Sequence, residues 1–379
     1  MTSTGRSGGC TANHYNKYKE ETEPDMERQD KDLAFMLQYE NIAWFEDGKV
    51  RILDRRCYPR RVEFVTCSDH REVVKALQDM VTQSAGPYTA AAMGMALAAY
   101  ECRNETVEKQ RTYLTEAADR ITNARPTTAK RMGQICKTMF SAAEEAWQSG
   151  ENVSLTIRNR AVEANNSRYF KISRMAEHLV KQIPDGGTVM TQCFAETIVG
   201  MMLKEARTKG KSFRVFCPET RPYFQGARLT ATVCYEMGFD VTVITDNMPA
   251  YVLQNEHVDV FTSAADAICM DGHVINKVGT FQIAIAAKYL HVPYFVTGAP
   301  DLVHPSVKDV KIEMRDPDFV LQAMGVKTAM DGVKGYYPAF DITPPELIAG
   351  VVTDIGILSP YDLWTYAGKG CSGEYEVLV

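Results

Sequence analysis

Asp185-Gly186-Gly187-Thr188-Val189-Met190-Thr191-Gln192-Cys193 is the stretch on which the fold turns. A turn-forming Asp-Gly-Gly runs into a short apolar run that closes on polar residues, the profile of a buried strand. A helical stretch to Lys209 follows, and the alternation then repeats. Ser212 to Cys217 reads as a strand, Gly226 to Met237 as a helix, Asp240 to Thr245 as a strand and Pro249 to Gln254 as a short helix. Val258 to Thr262 reads as a strand, Lys277 to Leu290 as a helix and Pro293 to Val296 as a strand. Five β runs separated by helices predict βαβ units and a parallel sheet covered on both faces, a Rossmann-like α/β domain. Thr343-Pro344-Pro345-Glu346 offers a Thr N-cap, an early Pro and a Glu three residues on, which predicts a final helix.

Upstream the rhythm differs. Ile42-Ala43-Trp44-Phe45 and Val50-Arg51-Ile52-Leu53 flank Glu46-Asp47-Gly48 and read as a hairpin. Helical periodicity then covers Val73 to Thr82, Ala90 to Asn104, Val107 to Asn123, Lys130 to Gln148 and Ala161 to Gln182, with Pro126 starting or breaking one helix. The predicted organisation is a disordered or extended tail over 1–30, a mainly helical N-terminal domain over 31–184 that starts with a small β element, and a Rossmann-like domain over 185–379. Two domains also suit 379 residues at roughly 100–200 residues per domain.

Composition narrows the function classes. With Lys+Arg 42 against Asp+Glu 48 the net charge is −6, so no overall basic footprint invites nucleic acid. No apolar run approaches the ~18 residues of a membrane span. The polar start Met1 to Asp30 lacks the apolar core of a secretory signal. Ten cysteines without a CxxC or a His at zinc spacing imply free thiols, no metal site and a reducing, cytoplasmic setting.

Open parallel sheets bind ligands beyond the carboxyl ends of their strands. Placed there are Cys193, Glu219-Thr220-Arg221, Asp246 with Asn247, Asp266, and Thr297-Gly298. Without a GxGxxG or Walker loop, neither a dinucleotide nor ATP is expected. The remaining anion site is the helix start after Asp271-Gly272-His273-Val274-Ile275-Asn276-Lys277, where free amides, the helix dipole and the Lys277 ammonium favour a phosphate. A Cys193 thiol facing a cation would have a lowered pKa suited to proton transfer, though it equally reads as a small buried hydrophobe. Asp266 has small or apolar neighbours, and burial there would raise its pKa and make it an acid. Glu219, Arg221, Asp246, Asn247 and His273 form a second tier of candidates.

Glu219-Thr220-Arg221-Pro222-Tyr223-Phe224-Gln225-Gly226-Ala227-Arg228-Leu229-Thr230-Ala231 resembles the signature of S-methyl-5-thioribose-1-phosphate isomerases. That family shares a superfamily with ribose-1,5-bisphosphate isomerases and the regulatory subunits of translation initiation factor 2B. Further collinear matches are Arg125-Pro126-Thr127, Thr191-Gln192-Cys193, Ile244-Thr245-Asp246-Asn247-Met248, Ala265-Asp266-Ala267-Ile268, Asn276-Lys277-Val278-Gly279-Thr280, Glu313-Met314-Arg315-Asp316-Pro317 and Pro338-Ala339-Phe340-Asp341-Ile342-Thr343-Pro344. The resemblance implies a cofactor-free, homodimeric aldose–ketose isomerase of a pentose 1-phosphate. It implies catalytic roles for Cys193 and Asp266, and substrate contacts from Arg125, Gln225, Asn276 and Lys277. The leading substrate is S-methyl-5-thioribose 1-phosphate of methionine salvage, with 5-deoxyribose 1-phosphate or ribose 1,5-bisphosphate as alternatives. A third reading is a non-catalytic sugar-phosphate sensor of the factor 2B type.

Three departures stand out. The family's Arg-Gly-Ala-Pro turn, whose arginine helps hold phosphate, is replaced by Gln83-Ser84-Ala85-Gly86-Pro87 without an arginine. Cys193-Phe194-Ala195-Glu196 replaces a Cys-Asn-Ala-Gly pattern. Asp271-Gly272-His273 is closer to the bisphosphate isomerase and factor 2B style than to the Asn-Gly-Asp of the thioribose enzymes.

Overall fold

The structure, a computed structural model, describes residues 28–125, 129–302 and 304–367. The tail expected over 1–30 lies almost wholly outside the described residues, as does Pro126 with most of its Arg-Pro-Thr match.

After the short helix α1 (Tyr39–Ile42), β1 (Ala43–Glu46) and β2 (Lys49–Leu53) form the expected hairpin. Asp47 and Gly48 both take positive φ, 50° and 72°, the two left-handed residues that a tight hairpin turn demands. A third strand, β3 (Phe64–Cys67), extends this sheet and was not visible in the sequence pattern. Five helices follow: α2 (His70–Gln78), α3 (Gly86–Glu101), α4 (Val107–Thr122), α5 (Ala129–Ser149) and α6 (Val153–Val180). Asp69, Thr106 and Asn152 cap α2, α4 and α6 through side-chain oxygens. Helix α3 is buried nearly all round, so its Ala-rich run forms the centre of this core.

The second half is built on a seven-stranded sheet in the order β15-β14-β10-β7-β4-β5-β6. Its members are β4 (Gly187–Met190), β5 (Phe213–Pro218), β6 (Val241–Ile244), β7 (Val260–Ala264), β10 (Tyr294–Thr297), β14 (Gly350–Thr353) and β15 (Gly356–Leu358). All pair in parallel except β15, which returns antiparallel on the edge. Helices α7 (Thr197–Thr208) and α8 (Ala231–Glu236) pack over Val189, Val215 and Val260 on one face. Helices α9 (Pro249–Asn255) and α10 (Thr280–Tyr289) pack over Met190, Phe216 and Phe261 on the other. Because both faces are covered, successive strand residues are apolar rather than alternating.

Two sequence expectations fail here. Lys277 does not begin a helix: Val274–Lys277 is strand β9, paired antiparallel with β8 (Ala267–Ile268) and β13 (Phe340–Thr343), and α10 starts only after Gly279 at φ 105°. Four buried residues flanked by pairing partners favour the ladder over the first turn of a helix. The capping box at Thr343 also yields no helix. Pro345–Leu347 makes one 3-10 turn, and the apolar Val351-Val352 run beyond it is drawn into the sheet beside β10.

Between β10 and β13 the chain makes an excursion containing the hairpin β11 (Gln322–Ala323) and β12 (Val326–Lys327), and the described residues close with α11 (Trp364–Ala367). The two halves share a core. Leu33, Leu37, Tyr39 and Tyr58 from the start of the chain pack in one cluster with Met201, Leu203, Leu229 and Val233. Among the described residues no helix is long and apolar enough to cross a membrane. The eight described cysteines are free and buried.

Candidate active site

Sheet order decides which loops meet. From β4 the chain moves outward through β5 to β6, then returns to lay β7 on the other flank of β4. The loops leaving β4 and β7 therefore diverge and leave a crevice between them. The first carries Cys193 and the second Asp266.

Cys193 is held by its backbone. It sits at φ 60°, its N–H donates to Thr220 Oγ1 at 3.2 Å, and its carbonyl accepts from Thr230 Oγ1 at 2.5 Å. Thr220 and Arg221 are positioned in turn by Asp246, whose carboxylate accepts both backbone N–H groups at 2.8 and 2.7 Å. The Gln225–Gly226 step has a packing reason as well: a Cβ on Gly226 would lie 1.8 Å from the Pro218 carbonyl oxygen. Cys193 is only 9% exposed. Burial pushes its thiol up to about 11, while Lys277 pulls the other way and Asp266 adds to the rise. The lowered pKa expected from the sequence is thus not found, because loss of hydration outweighs the nearby cation.

Asp266 is placed by β9. Its N–H donates to the Ile275 carbonyl at 2.9 Å, and β9 ends in Asn276 and Lys277. The Asp266 side chain keeps access to solvent, yet protein crowds it on its other sides, and this desolvation raises its pKa against Lys277, Arg315 and Arg131. Lys277 is 4% exposed; its ammonium donates to the Ala339 carbonyl at 3.0 Å and lies 4.7 Å over the Phe340 ring. Burial lowers its pKa, opposed by Cys193 and Asp266. Asn276 Nδ2 donates to Thr280 Oγ1 at 3.1 Å. Gln225 presents a buried Oε1 with no hydrogen-bond partner among the described residues. Arg125, with its pKa lowered by burial and by Arg315, stands among Tyr88, Glu313 and Tyr223. The structure therefore brings Cys193, Asp266 and Lys277 within electrostatic reach of one another, and Arg125 reaches the same cluster through Arg315 and Glu313.

Residues 82–360 match the model of the initiation factor 2 subunit family. The chain belongs to that family. Methylthioribose-1-phosphate isomerase of Chloroflexus aurantiacus is 34% identical over 84% of this chain and 95% of its own length. The 5-deoxyribose 1-phosphate isomerase of Clostridium botulinum is 32% identical over 84% of this chain and 95% of its own. Among solved structures, 5-methylthioribose 1-phosphate isomerase of Pyrococcus horikoshii superposes with a TM-score of 0.76 at 28% identity, covering 86% of this chain and 96% of that one. The translation initiation factor eIF-2B, subunit delta, from A. fulgidus reaches 0.74 at 30% identity, covering 89% of this chain and 99% of that one.

Within the family frame, the second-tier candidates separate. Glu219 lies near Asp246, and burial with that carboxylate raises its pKa. Asp246 is a support. Arg221 donates to the carbonyls of Val320 and Gln322 at 3.3 and 2.7 Å, so it ties down the excursion after β10. Asn247 is exposed and accepts from Thr245 Oγ1. His273 pairs with Asp271 at 3.1 Å, at the opposite end of β9 from Lys277. The free helix amides expected after Lys277 are occupied: Gly279 and Phe281 N–H both donate to Asp341 Oδ2, at 2.6 and 3.1 Å. Burial raises the Asp341 carboxyl to about 6. Glu313, Arg315, Tyr223 and Tyr337 join the cleft wall without having been singled out, although the first three lie inside matched motifs. Among the described residues no three His, Cys, Asp or Glu side chains gather as metal ligands.

The altered loop after Cys193 contains a buried ion pair. Arg55, wholly buried, donates to Glu196 Oε1 at 2.7 Å and to the Gln83 carbonyl at 2.6 Å. The other Glu196 oxygen accepts the Ala85 N–H, and Ser84 Oγ donates to the Phe194 carbonyl at 3.4 Å. Glu196 itself sits at φ 50°. The pair thus fastens the Gln83–Ala85 turn to the Cys193–Glu196 loop. Beside Cys193 a narrow crevice is lined by Leu179, Ile198, Val199 and Met202 together with Thr191, Gln192, Thr262, Ser263 and Thr297, with no charged side chain in its wall.

Glu196→Gln leaves a buried guanidinium uncompensated and is expected to cost about 3–5 kcal/mol. The double variant Arg55→Met/Glu196→Gln is expected to recover most of that loss, measured by urea unfolding. If the two single losses simply add, the pair is not coupled. For Cys193, the thiolate fraction grows tenfold per pH unit below its pKa. Its alkylation by iodoacetamide in the native protein is therefore expected to rise steadily through pH 9 and 10, and a plateau below pH 8 contradicts a raised pKa.

Proposed function

We propose that this protein isomerises a pentose 1-phosphate to the corresponding 1-phosphoketose. The observation that carries the proposal is the mutual influence of Cys193, Asp266 and Lys277 across the β4/β7 crevice. Phosphate on the anomeric oxygen prevents ordinary hemiacetal opening, so the ring oxygen must be protonated as the C1–O4 bond breaks. Asp266, with its raised pKa, is the acid for that step. Cys193 in its thiolate form takes the proton from C2 and delivers it to C1, while the Asp266 carboxylate left by the first step takes the O2 proton as the C2 carbonyl forms. Lys277, with its ammonium near the sulfur and the sugar, favours the anionic forms that arise. Arg125, Gln225, Asn276 and Lys277 are the proposed substrate contacts.

We propose S-methyl-5-thioribose 1-phosphate as the substrate, with 5-deoxyribose 1-phosphate as its sibling. The uncharged crevice beside Cys193 suits an apolar group on C5. That crevice offers a second phosphate on C5 no charged side chain. Arg221 gives Nη2 to the Val320 and Gln322 carbonyls while its buried Nη1 has no hydrogen-bond partner among the described residues, and Arg228 spends its donors on the carbonyls of Arg55, Tyr58 and Tyr223. The assembly we propose is a homodimer. Phe281, Ile285 and Tyr289, spaced four residues apart on α10, are exposed together with Tyr251 on α9.

Incubation with the methylthio, 5-deoxy and 5-phospho sugars, followed by NMR, is expected to show conversion of the first and more slowly the second. Cys193→Ser and Asp266→Asn are each expected to lower turnover by about 10³-fold or more with the fold intact by circular dichroism. Conversion of none of the sugars would favour a non-catalytic sensor. Ile285→Glu is expected to shift the sedimenting species from dimer to monomer, and an unchanged dimer removes α10 from the interface.

A further inference from the structure

The Gln83–Ala85 turn, whose counterpart in the family resembled supplies an arginine for phosphate, has no cation here. Its Ala85 N–H is already bound to the Glu196 carboxylate, and Arg55 neutralises that carboxylate from the far side. An incoming phosphoryl group would meet a turn whose anion is built in. The positive charge must come from elsewhere.

Arg131 stands in the right place. It lies in the first turn of α5, and its guanidinium sits 5.4 Å from the centre of the Tyr88 ring. Tyr88 belongs to the first turn of α3, directly after that same turn, and it also borders Arg125. Arg131 is exposed and makes no hydrogen bond or ion pair with any described residue. Its charge is also the weakest of the neighbouring charges that act on Asp266, favouring that group's ionised form.

The helix does not account for this placement. A guanidinium in the first turn opposes the helix dipole and is mildly destabilising there. A cation–π contact with the Tyr88 ring, by contrast, attracts the guanidinium while leaving its N–H groups available to phosphate oxygens.

We propose that Arg131, presented by Tyr88, holds the substrate's phosphoryl group on the N-terminal side of the cleft, in the role that the turn gives up to the Arg55–Glu196 pair. This rests on the isomerase reading for the identity of the substrate, but not for the binding of the anion. Wild type and Arg131→Gln, both full length, are compared by calorimetric titration with inorganic phosphate and by steady-state kinetics on S-methyl-5-thioribose 1-phosphate. The expected result is a Kd for phosphate raised about tenfold or more in Arg131→Gln. KM is expected to rise by a larger factor than kcat falls, and Arg131→Lys to recover part of the loss. Equal phosphate affinity in the two proteins, or no phosphate binding by the wild type, overturns the proposal. The two readings fail separately. Loss of phosphate binding without turnover of the sugar by the wild type keeps the anchor and removes the reaction. Turnover with unchanged KM and Kd keeps the reaction and makes Arg131 a solvated surface residue.

Discussion

The reversal of strand order at β4 is the constraint from which the site follows. A parallel sheet that grew in one direction only would stack its loops along one edge, each packed against the next. By returning to place β7 against β4, the chain separates two consecutive loops and opens a crevice at the middle of the sheet, where the polypeptide is best supported. Cys193 and Asp266, 73 residues apart by their numbering, become neighbours for this reason alone. The supports on either side repeat one device: Asp246 and Thr220 fasten the loop after β5, and β9 fastens the loop after β7.

Dehydration sets the electrostatics. Cys193, Asp266 and Lys277 each move toward their neutral form because burial penalises charge. Lys277 opposes the shifts of Cys193 and Asp266 and they oppose its own, whereas the Asp266 charge adds to the rise at Cys193. A site of this kind is prepared for an anionic substrate without presenting a bare charge to solvent. The protein fills its other cationic and amide positions from within: Asp341 occupies the start of α10, and Glu196 the start of α3. These internal carboxylates narrow the places at which a phosphoryl group finds a donor.

Much of this was legible in the sequence, for physical reasons. Apolar runs of four to six residues between turn formers identify strands buried on both faces, and they located β4, β5, β6, β7 and β10. Strand ends then pointed to Cys193 and Asp266 before any likeness was considered. What escaped was context. Val274–Lys277 is too short for its period to distinguish strand from helix, and its pairing with β13 spans more than sixty residues. Thr343-Pro344-Pro345-Glu346 has the chemistry of a helix start, yet the β-branched run after it gains more by joining β10. The sign of the Cys193 shift was unreadable because burial and a nearby lysine compete, and only their geometry decides between them. Arg55 and Glu196 lie 141 positions apart, and nothing local in either marks them as partners.

Leu33 to Ile42 and the helices α7 and α8 condense into one apolar mass, and Arg228 stitches the Gly226 segment to the backbone at Arg55 and Tyr58. Each half has an apolar cluster of its own, and this third one belongs to both. An architecture of this type cannot be passed on by splitting the gene at the visible change of rhythm. Whatever new chemistry descends from it has to be carried by the undivided chain, with novelty confined to the rim residues that line the cleft.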